Sequence, residues 1–185
     1  MDPRQFKVYK GAGGRNGAIQ FNLSDPHYFK EGTTPLEKSY NGKDRDGNSI
    51  FEVAEGRRRP KQGWKEREGA IFMEITSAKD KNVYDWENKV IMALSVSDIG
   101  KLLLTLATGN ECRIVHDPNA KKEGQGITKK FLTVTSPDGT AKGVMFHVKM
   151  TSGGEERSHS VPLDGAEVMT LRCLLQAATT RALSW

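Results

Sequence analysis

Hydrophobic and polar residues alternate with period two in a series of short segments, the signature of strands with one buried face. In 5–10, Phe6 and Val8 face one way, Lys7 and Tyr9 the other. In 18–23, Ile19, Phe21 and Leu23 oppose Gln20 and Asn22. In 70–76, Ile71, Met73 and Ile75 oppose Phe72, Glu74 and Thr76. In 89–94, Val90, Met92 and Leu94 share a face. From Ser95 to Thr108 the spacing changes to threes and fours (Val96, Ile99, Leu102, Leu103, Leu106), which predicts an amphipathic helix. Ser95, three residues before Asp98, can cap its start, with Ser97 as the other candidate, and Gly109-Asn110 is a stop signal. Alternation resumes in 111–116, 128–135, 142–150 and 157–163. It sets Leu132 and Val134 against Phe131, Thr133 and Thr135. It also groups Val144, Phe146, Val148 and Met150, and then His159, Val161 and Leu163. Turns are expected at Pro137-Asp138-Gly139 and Gly153-Gly154. A second helix follows, with Asp164 and Glu167 as a capping box. Its stripe is Val168, Leu171, Leu175, Ala178 and Ala182, widened by Leu174.

The order is about four strands, a helix, about four strands, a helix. Segregated antiparallel strands with helices after each set predict an α+β fold, not a doubly wound parallel sheet. A length of 185 residues suits one domain, 1–185, able to bury a core without disulfides or metals. Residues 32–69 break the pattern. Rich in Gly, Asn, Lys and Arg, they read as a basic, partly mobile insertion of long hairpin loops around a short strand at 50–54.

Composition narrows the function classes. No run approaches the ~18 apolar residues a membrane helix needs. Cys112 and Cys173 are too few for a secreted disulfide framework and read as two buried thiols in a reducing, intracellular compartment. Met1-Asp2-Pro3-Arg4 opens neither a signal peptide nor an Arg- and Ser-rich transit peptide. The formal charge of +5 is uneven: residues 1–68 hold fourteen Lys and Arg against ten Asp and Glu. Within 57–67, Arg57, Arg58, Arg59, Lys61, Lys65 and Arg67 face only Glu66. Such a patch attracts polyanions, because neutralising phosphates releases condensed counterions. A solvated basic loop is the alternative.

Catalytic and cofactor motifs are missing. His27, His116, His147 and His159 form no HxxxH or HExxH pair, and there is no GxSxG and no Walker loop. Asp44-Arg45-Asp46-Gly47-Asn48 lacks the carboxylate spacing of a calcium loop and reads as a polar turn. No metal, cofactor, small-molecule substrate or enzymatic activity is expected. The Gly-rich link Lys10-Gly11-Ala12-Gly13-Gly14-Arg15-Asn16-Gly17 lets backbone approach a ligand closely, with Lys10 and Arg15 supplying charge; it is equally a flexible hairpin tip. Tyr84-Asp85-Trp86-Glu87-Asn88-Lys89 sets aromatics beside a cation, suited to stacking on bases and holding phosphates. Burial of Trp86 as core is the alternative. Tyr9, Phe72 and Phe131 sit on polar strand faces, where an aromatic needs a covering base or subunit. The candidate nucleic-acid-binding residues are therefore Lys7, Tyr9, Lys10, Gly11, Arg15, Phe21, Arg57, Arg58, Arg59, Phe72, Tyr84, Trp86, Lys89, Lys129 and Phe131.

Several segments, in order, resemble the Whirly family and its relatives among mitochondrial proteins that handle guide RNA. They are Phe6-Lys7-Val8-Tyr9-Lys10-Gly11 followed by Gly17-Ala18-Ile19, then Tyr84-Asp85-Trp86 with Lys89, then Ala93-Leu94-Ser95-Val96 with Ile99-Gly100. Cys112 through His116-Asp117-Pro118 and Val161-Pro162-Leu163 with the closing helix ending at Trp185 complete the set. The likeness spans residues 5–29 and 70–185; residues 30–69 are longer and more basic than the family pattern. The resemblance implies two four-stranded antiparallel sheets packed crosswise with helices between. It implies a homotetramer formed chiefly through the helices. It also implies single strands, DNA favoured over RNA, lying along sheet edges and between subunits with little sequence preference. Implied roles are DNA repair, transcription or organelle genome maintenance in a mitochondrion or plastid, or alternatively RNA annealing.

Overall fold

The computed structural model describes residues 5–11, 17–118 and 128–182. In chain order the elements are β1 (Gln5–Lys10), β2 (Gly17–Ser24), β3 (His27–Lys30), β4 (Glu37–Ser39), β5 (Phe51–Ala54), β6 (Arg57–Pro60), β7 (Trp64–Arg67), β8 (Ala70–Asp80), β9 (Val83–Tyr84), a 3-10 turn (Trp86–Asn88), β10 (Val90–Leu94), α1 (Val96–Thr108), β11 (Cys112–His116), β12 (Thr128–Thr135), β13 (Val144–Ser152), β14 (Glu155–Leu163) and α2 (Gly165–Ala182).

Two antiparallel sheets form the frame. The first runs β1-β2-β8-β10, with β9 added against β8; the second runs β11-β12-β13-β14. In the first, Phe21 lies opposite both Phe6 and Met73, and Met73 opposite Met92, so the apolar residues of four strands share one face. In the second, Ile114, Leu132, Val148 and His159 run straight across. Both inner faces and both helices contribute to one buried core, from Val8 and Phe21 through Leu102 and Phe146 to Leu171 and Ala178. The sheets touch directly at Gly17. A Cβ there would lie 2.5 Å from the Thr76 carbonyl oxygen and 2.9 Å from a Val161 methyl of the other sheet. A glycine is required at that crossing.

The helix ends follow the sequence signals. Ser95 Oγ accepts from the Asp98 amide, and Asp98 Oδ2 accepts from the Ser95 amide, closing a capping box on α1. Gly109, at φ 81°, ends the helix in the left-handed conformation. On α2, Asp164 Oδ1 accepts from the amides of Ala166 and Glu167, while Glu167 Oε2 accepts from the Asp164 amide. The buried stripe of α2 is the predicted one: Val168, Leu171, Leu175, Ala178 and Ala182.

The stretch between β2 and β8 differs from expectation. The short strand at 50–54 is present as β5, but it has company. A β4-β3-β7 sheet and a β5-β6 ribbon fill what the composition suggested were loops, so ten strands precede α1 instead of about four. The insertion has a small core of its own, with Ile50 and Trp64 buried and the ring of Phe51 edge-on to Tyr28 at 4.9 Å. Its base is tied to the end of α2: the Gly69 amide donates to the Ala182 carbonyl, and Arg181 pairs with Asp25 at 3.0 Å.

Candidate nucleic-acid interface

Strand alternation pushes one set of residues outward on the β1-β2-β8-β10 sheet. Tyr9, 51% exposed, stands at one end, its ring 5.2 Å from Tyr84 and in edge contact with Trp86 at 6.4 Å. This cluster closes over the sheet, where Thr76 is buried and its hydroxyl donates to the Asp85 carbonyl. Trp86 is half-buried at this rim and is not part of the core. The turn is held from the opposite sheet by buried His159, whose Nε2 lies 3.1 Å from the Asn88 carbonyl and Nδ1 2.8 Å from Ser77 Oγ. Beneath the turn, Asp85 accepts from Asn88 and pairs with Lys79. These contacts outweigh desolvation and hold its carboxyl below the usual range. Gly11 lies against the neighbouring turn between β8 and β9: a Cβ there would come within 2.3 Å of the Asn82 side-chain oxygen.

Four residues along, Phe72 lies across from Asn22 and Ala93 and is 39% exposed. It borders a cleft of about 210 Å³, lined also by Ile91, Ala93, His116, Pro118 and Lys130. Lys130 reaches across from β12 to donate to the Ile91 carbonyl at 2.8 Å, and its burial lowers the ammonium pKa. His116 is fixed by Asp98 Oδ2 at 3.0 Å. The cleft thus offers a flat aromatic, an apolar floor and a cation from the other sheet.

The outer face of the β11-β12-β13-β14 sheet carries the clearest platform. Phe131 is 36% exposed, with Val115 directly across on β11 and Lys149 directly across on β13. Lys129, two residues along, is exposed, and together with Phe131, Lys149 and Thr151 it lines a hollow of about 480 Å³. Lys149 pairs with Glu156 at 2.7 Å, an exposed contact that a phosphate can displace. An aromatic face between two lysines offers a base its π-surface and the adjoining phosphates their charge.

Several candidates from the sequence take other roles. Phe21 is fully buried between Phe6 and Phe146 and cannot stack on a base; its parity on β2 puts it with Ile19. Lys10 is committed to the start of α2, with Nζ at 2.6 and 2.8 Å from the Glu167 carboxylate. Lys89 is held by Glu74 at 2.5 Å. Lys7 stays exposed on the outer face between Tyr9 and Gln5. Arg57, Arg58 and Arg59 are exposed together on β6, apart from both sheet faces. Arg15 lies outside the described residues. Cys112 is buried as expected, but Cys173 is exposed on the outer side of α2. Sequence reasoning missed Lys130 and Lys149. Lys149 was legible, since the alternation in 142–150 puts it outward; Lys130 was not, because it sits among inward-facing residues and only the cleft reveals its use.

These features define a class: an α+β protein whose two sheets present aromatic residues beside lysines on their open surfaces. The family model described as Whirly transcription factor matches residues 16–174, and the chain belongs to the Whirly family. Among curated relatives, it is 28% identical over 120 residues to "Single-stranded DNA-binding protein WHY1, chloroplastic" of Solanum tuberosum, covering 64% of this chain and 43% of the relative. It is 26% identical over 121 residues to "Single-stranded DNA-binding protein WHY2, mitochondrial" of Arabidopsis thaliana, covering 65% and 50%. The chain thus spans about half, or less, of the length of these relatives. Two solved structures share its fold. That of the plant transcriptional regulator PBF-2 gives a TM-score of 0.68 at 23% identity, covering 98% of this chain and 82% of that one. That of WHY1 from Arabidopsis thaliana gives 0.69 at 21%, covering 98% and 85%.

Proposed function

We propose that this chain is a binding protein for single-stranded DNA with little sequence specificity, acting by contact rather than catalysis. The observation that carries this is Phe131 between Lys129 and Lys149 on an open sheet face. Such a platform accepts any base, because every base has a π-face, and a duplex hides those faces. Phe72 with Lys130 supplies a second place of the same chemistry. The relatives named as single-stranded DNA-binding proteins support the reading, and their chloroplast and mitochondrial labels support an organellar setting. DNA maintenance, repair or transcription is the process we assign. Residues 1–185 act as one binding domain carrying the basic insertion at about 32–69. The working form is a homotetramer built through the helices, where Leu104 and Met169 remain exposed.

Competition binding tests this. A labelled single-stranded DNA oligonucleotide is displaced by unlabelled single-stranded DNA, poorly by duplex, and less readily by single-stranded RNA. The logarithm of its binding constant falls with the logarithm of salt by about 0.7 for each phosphate neutralised. Equal displacement by duplex overturns the reading.

A further inference from the structure

The β5-β6 ribbon stands apart from the two framework sheets as a two-stranded sheet of its own. It is a tight two-residue hairpin, with Glu55 and Gly56 both at positive φ (54° and 72°) and Ala54 paired with Arg57. It is braced at its base: the Lys61 amide donates to the carbonyl of buried Ile50, and Phe51 lies edge-on to Tyr28 of β3. Three consecutive arginines on a strand alternate in direction. Arg58 turns toward Phe51, its guanidinium 3.9 Å from the ring centroid, beside Val53, which is 78% exposed. Arg57 and Arg59 turn the other way, two residues or about 6.6 Å apart, a spacing that suits successive phosphates of an extended strand. Among the described residues, Arg57 and Arg58 enter no ion pair; Arg59 has only a 3.5 Å contact to Glu55, itself 83% exposed. Arginine cations held on a stiff arm without buried counter-charges are poised for an external anion.

The location selects which anion. The insertion leaves the first sheet where Ser24 pairs with Ala70, two residues from the Asn22–Phe72 pair. The insertion therefore begins at the end of the sheet next to Phe72.

We propose that the β5-β6 ribbon is a second nucleic-acid contact, taking the sugar-phosphate backbone of the single strand that leaves the sheet at Phe72. This rests on the single-strand reading above. Arg57 and Arg59 bind consecutive phosphates, and the Arg58–Phe51 stack supports the intervening sugar or base. The arm lengthens the footprint of each subunit without adding sequence preference.

The test compares oligothymidylates of about 8 and about 30 nucleotides, lengths that bracket a sheet-sized site. The variant R57A/R59A spares the Arg58–Phe51 packing, and its unchanged melting temperature confirms the fold. Expected is parent-like affinity for the short probe, several-fold weaker binding of the long probe, and a long-probe salt slope shallower by about 1.4, two contacts at about 0.7 each. Parent-like affinity and slope for the long probe overturn the proposal, as does equal weakening of both probes. A parent protein that binds neither probe overturns the single-strand reading and the ribbon's role with it, whereas Phe72→Ala weakening both probes isolates the ribbon as the separate element.

Discussion

Phe131 and Trp86 are both aromatics at a sheet surface, but their surroundings assign them different work. Phe131 has open space above its ring and lysines beside it. Phe131→Ala is expected to weaken oligonucleotide binding by about 1–3 kcal/mol, roughly tenfold or more, with little change in melting temperature. Trp86 leans on Tyr9 and covers the end of the sheet. Trp86→Ala is expected to cost about 1–3 kcal/mol of stability, seen as a lower denaturation midpoint. His159 sets a pH dependence. Burial lowers its pKa below the ordinary 6.5, the hydrogen bond to Asn88 only partly offsetting this. The folded state therefore binds this proton less readily than the unfolded chain. The stability involved is present above pH 6.5 and lost as pH falls through the lowered folded value. Urea midpoints should drop between pH 7 and pH 5, and His159→Gln should flatten that drop. Asp98, whose hydrogen bonds from Ser95 and His116 outweigh desolvation and hold its carboxyl below 3.8, responds only at more acid pH, so the two effects separate.

At the level of elements, α1 hangs on its first turn. Ser95→Ala removes the acceptor for the Asp98 amide and is expected to cost about 1 kcal/mol, measurable by thermal melting. Asp98→Ala should cost more, because it also releases His116. Both caps, both helical stripes and the eight framework strands were legible, since period 2 and period 3.6 are local properties of a sequence. Within the insertion only the short strand at 50–54 was. Its other strands are three or four residues long, too short for alternation to register, and three arginines in a row mask the ribbon they form. The fates of Lys10 and Lys89 were hidden for another reason. Glu167 and Glu74 lie 157 and 15 residues away in the chain, and only the fold brings them within reach. Phe21 could have been read correctly, because the alternation that buries Ile19 also buries it.

For the whole molecule, α1 and α2 pack against each other yet leave Leu104 and Met169, 63% and 57% exposed, on their outer sides. In the proposed homotetramer these two side chains lie at the subunit contact. Light scattering is expected to give about four times 20.5 kDa. Leu104→Glu with Met169→Glu should shift the mass toward the monomer.

The way the insertion interrupts one sheet also orders how the chain folds. In the β11-β12-β13-β14 sheet every neighbour in space is the next strand in sequence, so it assembles by successive hairpins. The central pair of the other sheet, β2 and β8, must close across the intervening 25–69 segment, and loop closure costs entropy before pairing rewards it. The insertion's own hairpins are local and shorten that gap. Conservative core truncations such as Val148→Ala should therefore slow refolding nearly in proportion to the stability they remove, whereas Ile75→Val should act mainly on the unfolding rate.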